Sequence, residues 1–309
     1  MRVAAIDIGT VTCRLLIAEI KDETLIELTR HCEITNLGIG VDETGVLQTD
    51  AIERVVNQIA RYQEIIACYQ CPEHPIKTVA IATSAARDAS NSSELINSLK
   101  EIGVDLSVIP GEVEASLSFK GASCNYANEN LLVLDIGGGS TEVVFGKAHK
   151  EPSLFHSFDI GCRRVTERFL HNDPPLPSEL KQAQEWIVES MSPWFDKAFE
   201  QGYSIDRIVA VAGTATTSVS VHKHMEVYDS GLVDKTVMTL PDLRNVYEQF
   251  CAVPLEQRKE IVGLEPKRAS VIIAGMLILL TVLSLTDKTS YTVSESDILQ
   301  GIVMTNQDS

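Results

Sequence analysis

The chain has 309 residues, 44% hydrophobic and 22% charged, a composition that excludes a disordered chain and suits two domains, each able to bury a core. Its 26 basic against 43 acidic residues give a net charge of −17, which disfavours nonspecific adhesion to nucleic acid or to an anionic membrane; an anionic ligand needs a local trap. Seven scattered cysteines fit a reducing compartment rather than a disulfide framework, and MRVAAIDIGT has none of the segments of a signal peptide, so the chain is expected in the cytoplasm.

In chain order, strands are predicted over Val3–Ile6 and Arg14–Ile20, then near Leu25–Arg30 and Glu33–Leu37, completing a meander. A helix follows. Asp50 and Glu53 stand at capping-box spacing, and Ile52, Val55, Val56, Ile59 and Ile66 share one face. Strand Thr78–Ala82, helix Ser92–Glu101, strand Asp105–Ile109 and helix Glu112–Lys120 finish the first half. Cys68 and Cys71 form a CxxC, but with no second pair and no histidines at ligand spacing neither zinc nor redox chemistry is expected there. His222 and His224 read as surface residues.

The polar stretch GASCNYANEN, Gly121 to Asn130, reads as a domain boundary, placing one domain at 1–124 and the second at 125–309, with the last helix, about 296–309, packing back on the first. The second domain opens as the first does. VAAIDIG at Val3 is answered by LVLDIGG at Leu132, with aspartates 128 residues apart, a duplication on the scale of a domain. The run Val271–Leu285 is apolar over fifteen residues, too short to span a membrane comfortably, and is read as a buried core helix.

In each copy a strand, a tight turn and a second strand follow one another. A P-loop or dinucleotide fingerprint needs a helix directly after its glycines, whereas TEVVFG continues as β, so neither nucleotide motif fits. Glycine is a poor filler for a strand, so the run Gly137, Gly138, Gly139 implies a backbone path that side chains would obstruct. Successive amides there can form a nest for an anion, with Ser140 and Thr141 adding hydroxyls. A carboxylate beside a phosphate repels it unless a hard cation lies between them, so Asp135 and Glu142 point to Mg²⁺ or another divalent cation such as Mn²⁺. Asp7, Thr10, Thr12 and Arg14 form a turn of the same kind, in which Asp7 joins the metal candidates. Gly213 and Thr214 sit where a strand meets a helix N-terminus. Together these turns predict a cleft between two related domains.

The string DIGTVTCRLLIAEI at Asp7, ATSAARDASN at Ala82, IPGEVEASLSFKGA at Ile109, LDIGGGSTEVVFG at Leu134, IGCRRVTERF at Ile160, VAGTATTSVS at Val211, LEPKRASVIIAGMLIL at Leu264 and VSESDILQGIV at Val293 resembles the Ppx/GppA family of exopolyphosphatases and guanosine pentaphosphate phosphatases over nearly the whole chain, in its short two-domain form. The resemblance implies an α/β fold of two ribonuclease H-like domains of the actin-like ATPase superfamily with an interdomain cleft. It implies that Glu114 activates the attacking water, that Asp135 and Glu142 attend the metal, and that Arg87 binds phosphate; Arg164 and Arg268 match family arginines without a defined role. The first loop departs from the usual DIGSNS at Val11, and Val113 and Ser116 replace residues often acidic and basic in relatives. The expected reaction is removal of the terminal phosphate of inorganic polyphosphate, in short chains because no dense basic run is visible. The alternatives are 5′-phosphate removal from guanosine pentaphosphate, an ATP-dependent kinase of the same superfold, and a nonhydrolytic phosphate sensor. A homodimer is left open.

Overall fold

The computed structural model of the chain describes residues 2–22, 24–73 and 75–306. The chain divides into two compact units, Met1–Gly121 together with Ser296–Ser309, and Ala122–Glu295.

The first unit is built from β1 (Arg2–Ile8), β2 (Thr12–Lys21), β3 (Thr24–Ile34), α1 (Val41–Thr44), α2 (Thr49–Tyr69), β4 (Ile76–Ala82), α3 (Ser84–Asp88), α4 (Ser92–Glu101), β5 (Leu106–Val108) and α5 (Gly111–Ser123), whose last turn carries the division. Its sheet has the order β3-β2-β1-β4-β5; β1 to β3 are antiparallel neighbours, and β4 and β5 run parallel to β1. The period of two along β1 sends Ala4, Ile6 and Ile8 to one face, against Val55 and Ile59 of α2 and Leu95 and Leu99 of α4, and sends Val3 and Ala5 to the other.

That second face is covered by the chain's last helix, α13 (Ile298–Thr305), through Ile298, Leu299, Ile302 and Val303. Two glycines let α13 approach α5 closely. A Cβ at Gly301 would sit 2.0 Å from the Leu117 carbonyl oxygen, and one at Gly121 would sit 1.8 Å from that of Asp297. The Lys120 ammonium donates to Thr305 Oγ1 at 3.1 Å. Residues 307–309 of the predicted terminal helix lie outside the described residues.

The second unit contains β6 (Asn130–Ile136), β7 (Thr141–Lys147), β8 (Leu154–Phe158), α6 (Cys162–Phe169), α7 (Pro177–Glu200), β9 (Arg207–Val211), α8 (Ala212–His222), α9 (Ser230–Val233), β10 (Val237–Thr239), α10 (Leu240–Cys251), α11 (Leu255–Arg258), α12 (Ile272–Leu285) and β11 (Ser290–Val293). Its sheet order is β10-β11-β9-β6-β7-β8. The antiparallel meander β6–β7–β8 repeats β1–β2–β3, and β9 takes the place of β4 beside the first strand, parallel to it. The apolar run is α12, buried nearly all round. Among the described residues no helix is long and apolar enough to cross a membrane.

Two readings of local structure need correction. The strands predicted at Leu25–Arg30 and Glu33–Leu37 are one strand, β3, which lies at the sheet edge, where polar residues such as Thr29 and Arg30 need not end the pairing. No capping box opens α2. Gln48 is its N-cap, and Asp50 pairs instead with Arg54 one turn on, at 2.6 Å. Replacing Gly301 with alanine is expected to force the α5–α13 contact apart and to cost about 1–3 kcal/mol, read from a lowered denaturant midpoint.

Candidate functional site

In the first unit the candidate residues gather at the β1–β2 hairpin. Its turn is closed by the Gly9 amide donating to the Thr12 carbonyl at 2.8 Å, which places Asp7 directly opposite Arg14. The guanidinium donates to Asp7 Oδ2 through Nε at 3.0 Å and Nη2 at 2.6 Å, and through Nη1 to Asp297 Oδ2. Asp7 Oδ1 is buried and has no hydrogen-bond partner among the described residues. Burial pushes the Asp7 carboxyl pKa up; Arg14 opposes that shift and the charge on Asp297 adds to it. Thr10 presses its methyl group toward Gly38, and its buried hydroxyl also has no partner among the described residues. Thr12 opens β2, half-buried. Val11 is buried, 5% exposed, and its carbonyl accepts from the Thr35 and Asn36 amides.

Glu114 lies in the first turn of α5, where the helix dipole favours an acid, and is buried. Arg87, at the end of α3, donates through Nη1 to Glu114 Oε2 at 3.1 Å and to the Ile109 carbonyl at 3.4 Å. The arginine read as a phosphate ligand therefore holds the acid read as the base. Val113 beside it is exposed and Ser116 half-buried.

The β6–β7 hairpin of the second unit repeats the turn, with the Gly137 amide donating to the Ser140 carbonyl at 3.0 Å and Asp135 opposite Glu142. Strand β7 runs on from the glycines, as TEVVFG implied. The N-terminus of α6 takes up the carbonyls of the glycine run. Cys162 N donates to Gly137 O at 2.9 Å, Arg163 N to Gly138 O at 2.8 Å, and Arg164 Nε to Gly139 O at 2.9 Å. With those carbonyls drawn to α6, the Gly138 and Gly139 amides make no hydrogen bond among the described residues, the condition an anion nest needs. Gly161 makes this seat possible, since a Cβ there would lie 2.3 Å from the Gly138 carbonyl carbon.

Asp135 and Glu142 are both buried, and Ser157 Oγ on β8 donates to Glu142 Oε1 at 2.7 Å. Ser140 is buried beside the glycines. Thr141 is a correction to the predicted hydroxyl donors. Its single hydroxyl proton goes to the Ile160 carbonyl at 2.5 Å, so the side chain braces the turn instead of donating to a ligand. At the start of α8, Gly213 carries the Arg268 guanidinium so closely that a Cβ would sit 1.7 Å from Nη1, and buried Thr214 packs against Gly275 of α12.

The two hairpins differ in the charge that faces the aspartate. The aspartate of the first unit faces an arginine; that of the second faces a glutamate. Two buried acids side by side favour a cation between or beside them, and the all-oxygen donor set suits a hard divalent ion, which for Mg²⁺ commonly means one or two carboxylates plus substrate phosphates. Among the described residues no three His, Cys, Asp or Glu side chains gather into a cluster able to hold a metal unaided. In the Asp7 hairpin the counter-cation is already supplied by Arg14.

Two sheets sharing a repeated meander, each with a glycine turn after its first strand, define the actin-like ATPase fold in two domains, as in the solved Ppx/GppA structure from Aquifex aeolicus, which the chain matches with a TM-score of 0.80 at 33% identity, covering 99% of this chain and 97% of that one. Residues 16–309 match the Ppx/GppA phosphatase family, and the chain belongs to that family. It is similar to Exopolyphosphatase 2 of Mycobacterium tuberculosis, at 34% identity over 98% of both chains. It is also similar to the bifunctional 3-dehydroquinate synthase/phosphatase of Fusobacterium nucleatum, at 37% identity over 97% of this chain but only 46% of that one.

Ser157, Gly161 and Asp297 escaped the sequence reading. The first two act through hydrogen bonding and close packing that no local pattern announces. Asp297 with Gln300 forms a capping box, visible in DILQ, although its pairing with Arg14 is not. Substituting Gly161 by alanine is expected to push α6 off the glycine turn, costing about 1–3 kcal/mol in a denaturant titration and weakening pyrophosphate binding in calorimetry.

Proposed function

We propose that this phosphatase hydrolyses the terminal phosphoanhydride of inorganic polyphosphate, acting on short chains and releasing orthophosphate. The observation that carries the reading is the Gly137–Ser140 turn, in which the Gly138 and Gly139 amides make no hydrogen bond among the described residues and so suit the oxygens of a transferring phosphoryl group. In the first unit, the turn at Thr10 and Thr12 carries donors of the same kind. Glu114, steadied by Arg87, accepts a proton from water as that water attacks the terminal phosphorus, and the shortened polyphosphate leaves with the bridging oxygen. Asp135 and Glu142 are the residues that would hold Mg²⁺ or Mn²⁺, which would offset charge on the phosphate oxygens.

Short chains are favoured by charge. At −17 the protein repels the distal part of a long polyanion, and the arginines of α6 are already engaged within the protein. Arg163 pairs with Glu167 at 3.6 Å, Arg164 holds Gly139, and Arg168 lies over the Trp186 ring at 5.2 Å.

Glu114→Gln is expected to lower orthophosphate release by roughly a hundred- to ten-thousandfold while leaving tripolyphosphate binding intact; near-normal release would remove Glu114 from the role of base. Tripolyphosphate is expected to be cleaved faster than long polymer at low salt, with the gap narrowing as salt rises. A better rate on long polymer at low salt would contradict the chain-length reading. Competition with guanosine pentaphosphate in the same phosphate-release assay ranks the two substrates.

A further inference from the structure

Arg14 stands at the turn where a phosphate would be received, yet its guanidinium is held by carboxylates on two sides. Nε and Nη2 serve Asp7, and Nη1 serves Asp297. The arginine side chain is 15% exposed and the two acids 5% and 6%, so the pairing is screened from solvent. Two carboxylates sharing one guanidinium leave no net positive charge at this turn for an incoming anion.

Asp297 is not a mobile surface acid that substrate sweeps aside. Its Oδ1 accepts from the Leu299 amide at 3.0 Å as the N-cap of α13, its own amide donates to Gln300 at 2.9 Å, and its backbone is pressed against Gly121 of α5. The carboxylate is thus placed by the fold, independently of any contact with ligand.

We infer that Asp297 is a specificity-determining residue: by occupying Nη1 of Arg14 it withholds the guanidinium from condensed phosphate, so that the turn holds its substrate through neutral donors alone. This rests on the reading that a condensed phosphate is received at the Thr10–Arg14 turn. The consequence is loose ground-state binding. A charge-assisted contact made equally to substrate and transition state would lower KM without raising kcat, and Asp297 removes that contact.

The test compares the wild type with Asp297→Asn, Asp297→Ser and the double variant Arg14→Gln, Asp297→Asn. Asparagine and serine both cap helices well, so α13 stays seated while the carboxylate is lost. Binding of a methylene-bridged tripolyphosphate, which cannot be hydrolysed, is measured by calorimetry with Mg²⁺ present, alongside orthophosphate release from tripolyphosphate. Both single variants are expected to bind the analogue about tenfold more tightly than the wild type and to show a matching fall in KM without a rise in kcat, and the double variant is expected to lose the gain. A purely structural role for Asp297 would weaken binding, so equal or weaker binding by Asp297→Asn and Asp297→Ser overturns the inference, as does an analogue that binds none of the proteins. Tighter binding by the single variants in a protein that releases no orthophosphate would sustain this inference and remove the proposed hydrolysis.

Discussion

The structure turns on what stands across the hairpin from the aspartate that ends each unit's first strand. A tight glycine turn fixes that register in both units, because the Gly9 and Gly137 amides each reach back to the carbonyl three residues on. Once the register is fixed, side chains directly opposite must interact, for good or ill. In the first unit the opposite residue is Arg14, and the aspartate is neutralised within the protein. In the second it is Glu142, and two buried acids are set side by side. One duplicated scaffold therefore yields two electrostatically unlike turns.

The same constraint explains the glycines. The Gly137–Gly139 carbonyls are consumed by the N-terminus of α6, an arrangement that reverses the usual use of a helix N-terminus as an anion site. Helix α6 serves instead to hold the loop by its carbonyls. A plain tight turn would account for the hairpin but not for the close seat of Gly161 or for the hydroxyl of Thr141 being spent on Ile160.

Much of the fold was legible because its signals are local. The alternation along β1, the helical face of α2, the repeated DIG and the unbroken apolar run of α12 each report their element directly. The edge strand β3 was misread because an edge tolerates the polar residues that elsewhere mark a turn. At the site, residue types were readable but their partners were not. Arg14 and Asp297 are 283 positions apart, Arg87 and Glu114 27 apart, and a single sequence carries no record of such pairs. Arg87 and Arg14 were consequently read as hands for phosphate, although each is occupied with a carboxylate of the protein.

The last helix has a bearing on how the molecule is made. Because α13 covers one face of the sheet that β1 begins, the first unit is interrupted in the chain by the whole of the second. Val3, Ala5, Leu16 and Ala18 have no apolar cover from α13 until synthesis has reached residue 303, so a nascent first unit must wait, half-clad, through some 170 residues of translation. Contacts of such long range are slow to close and leave a sticky surface in the interim. Maturation of the first unit is thereby tied to completion of the second, and α5, the helix that carries Glu114, gains its close contact with α13 only once synthesis has passed Gly301.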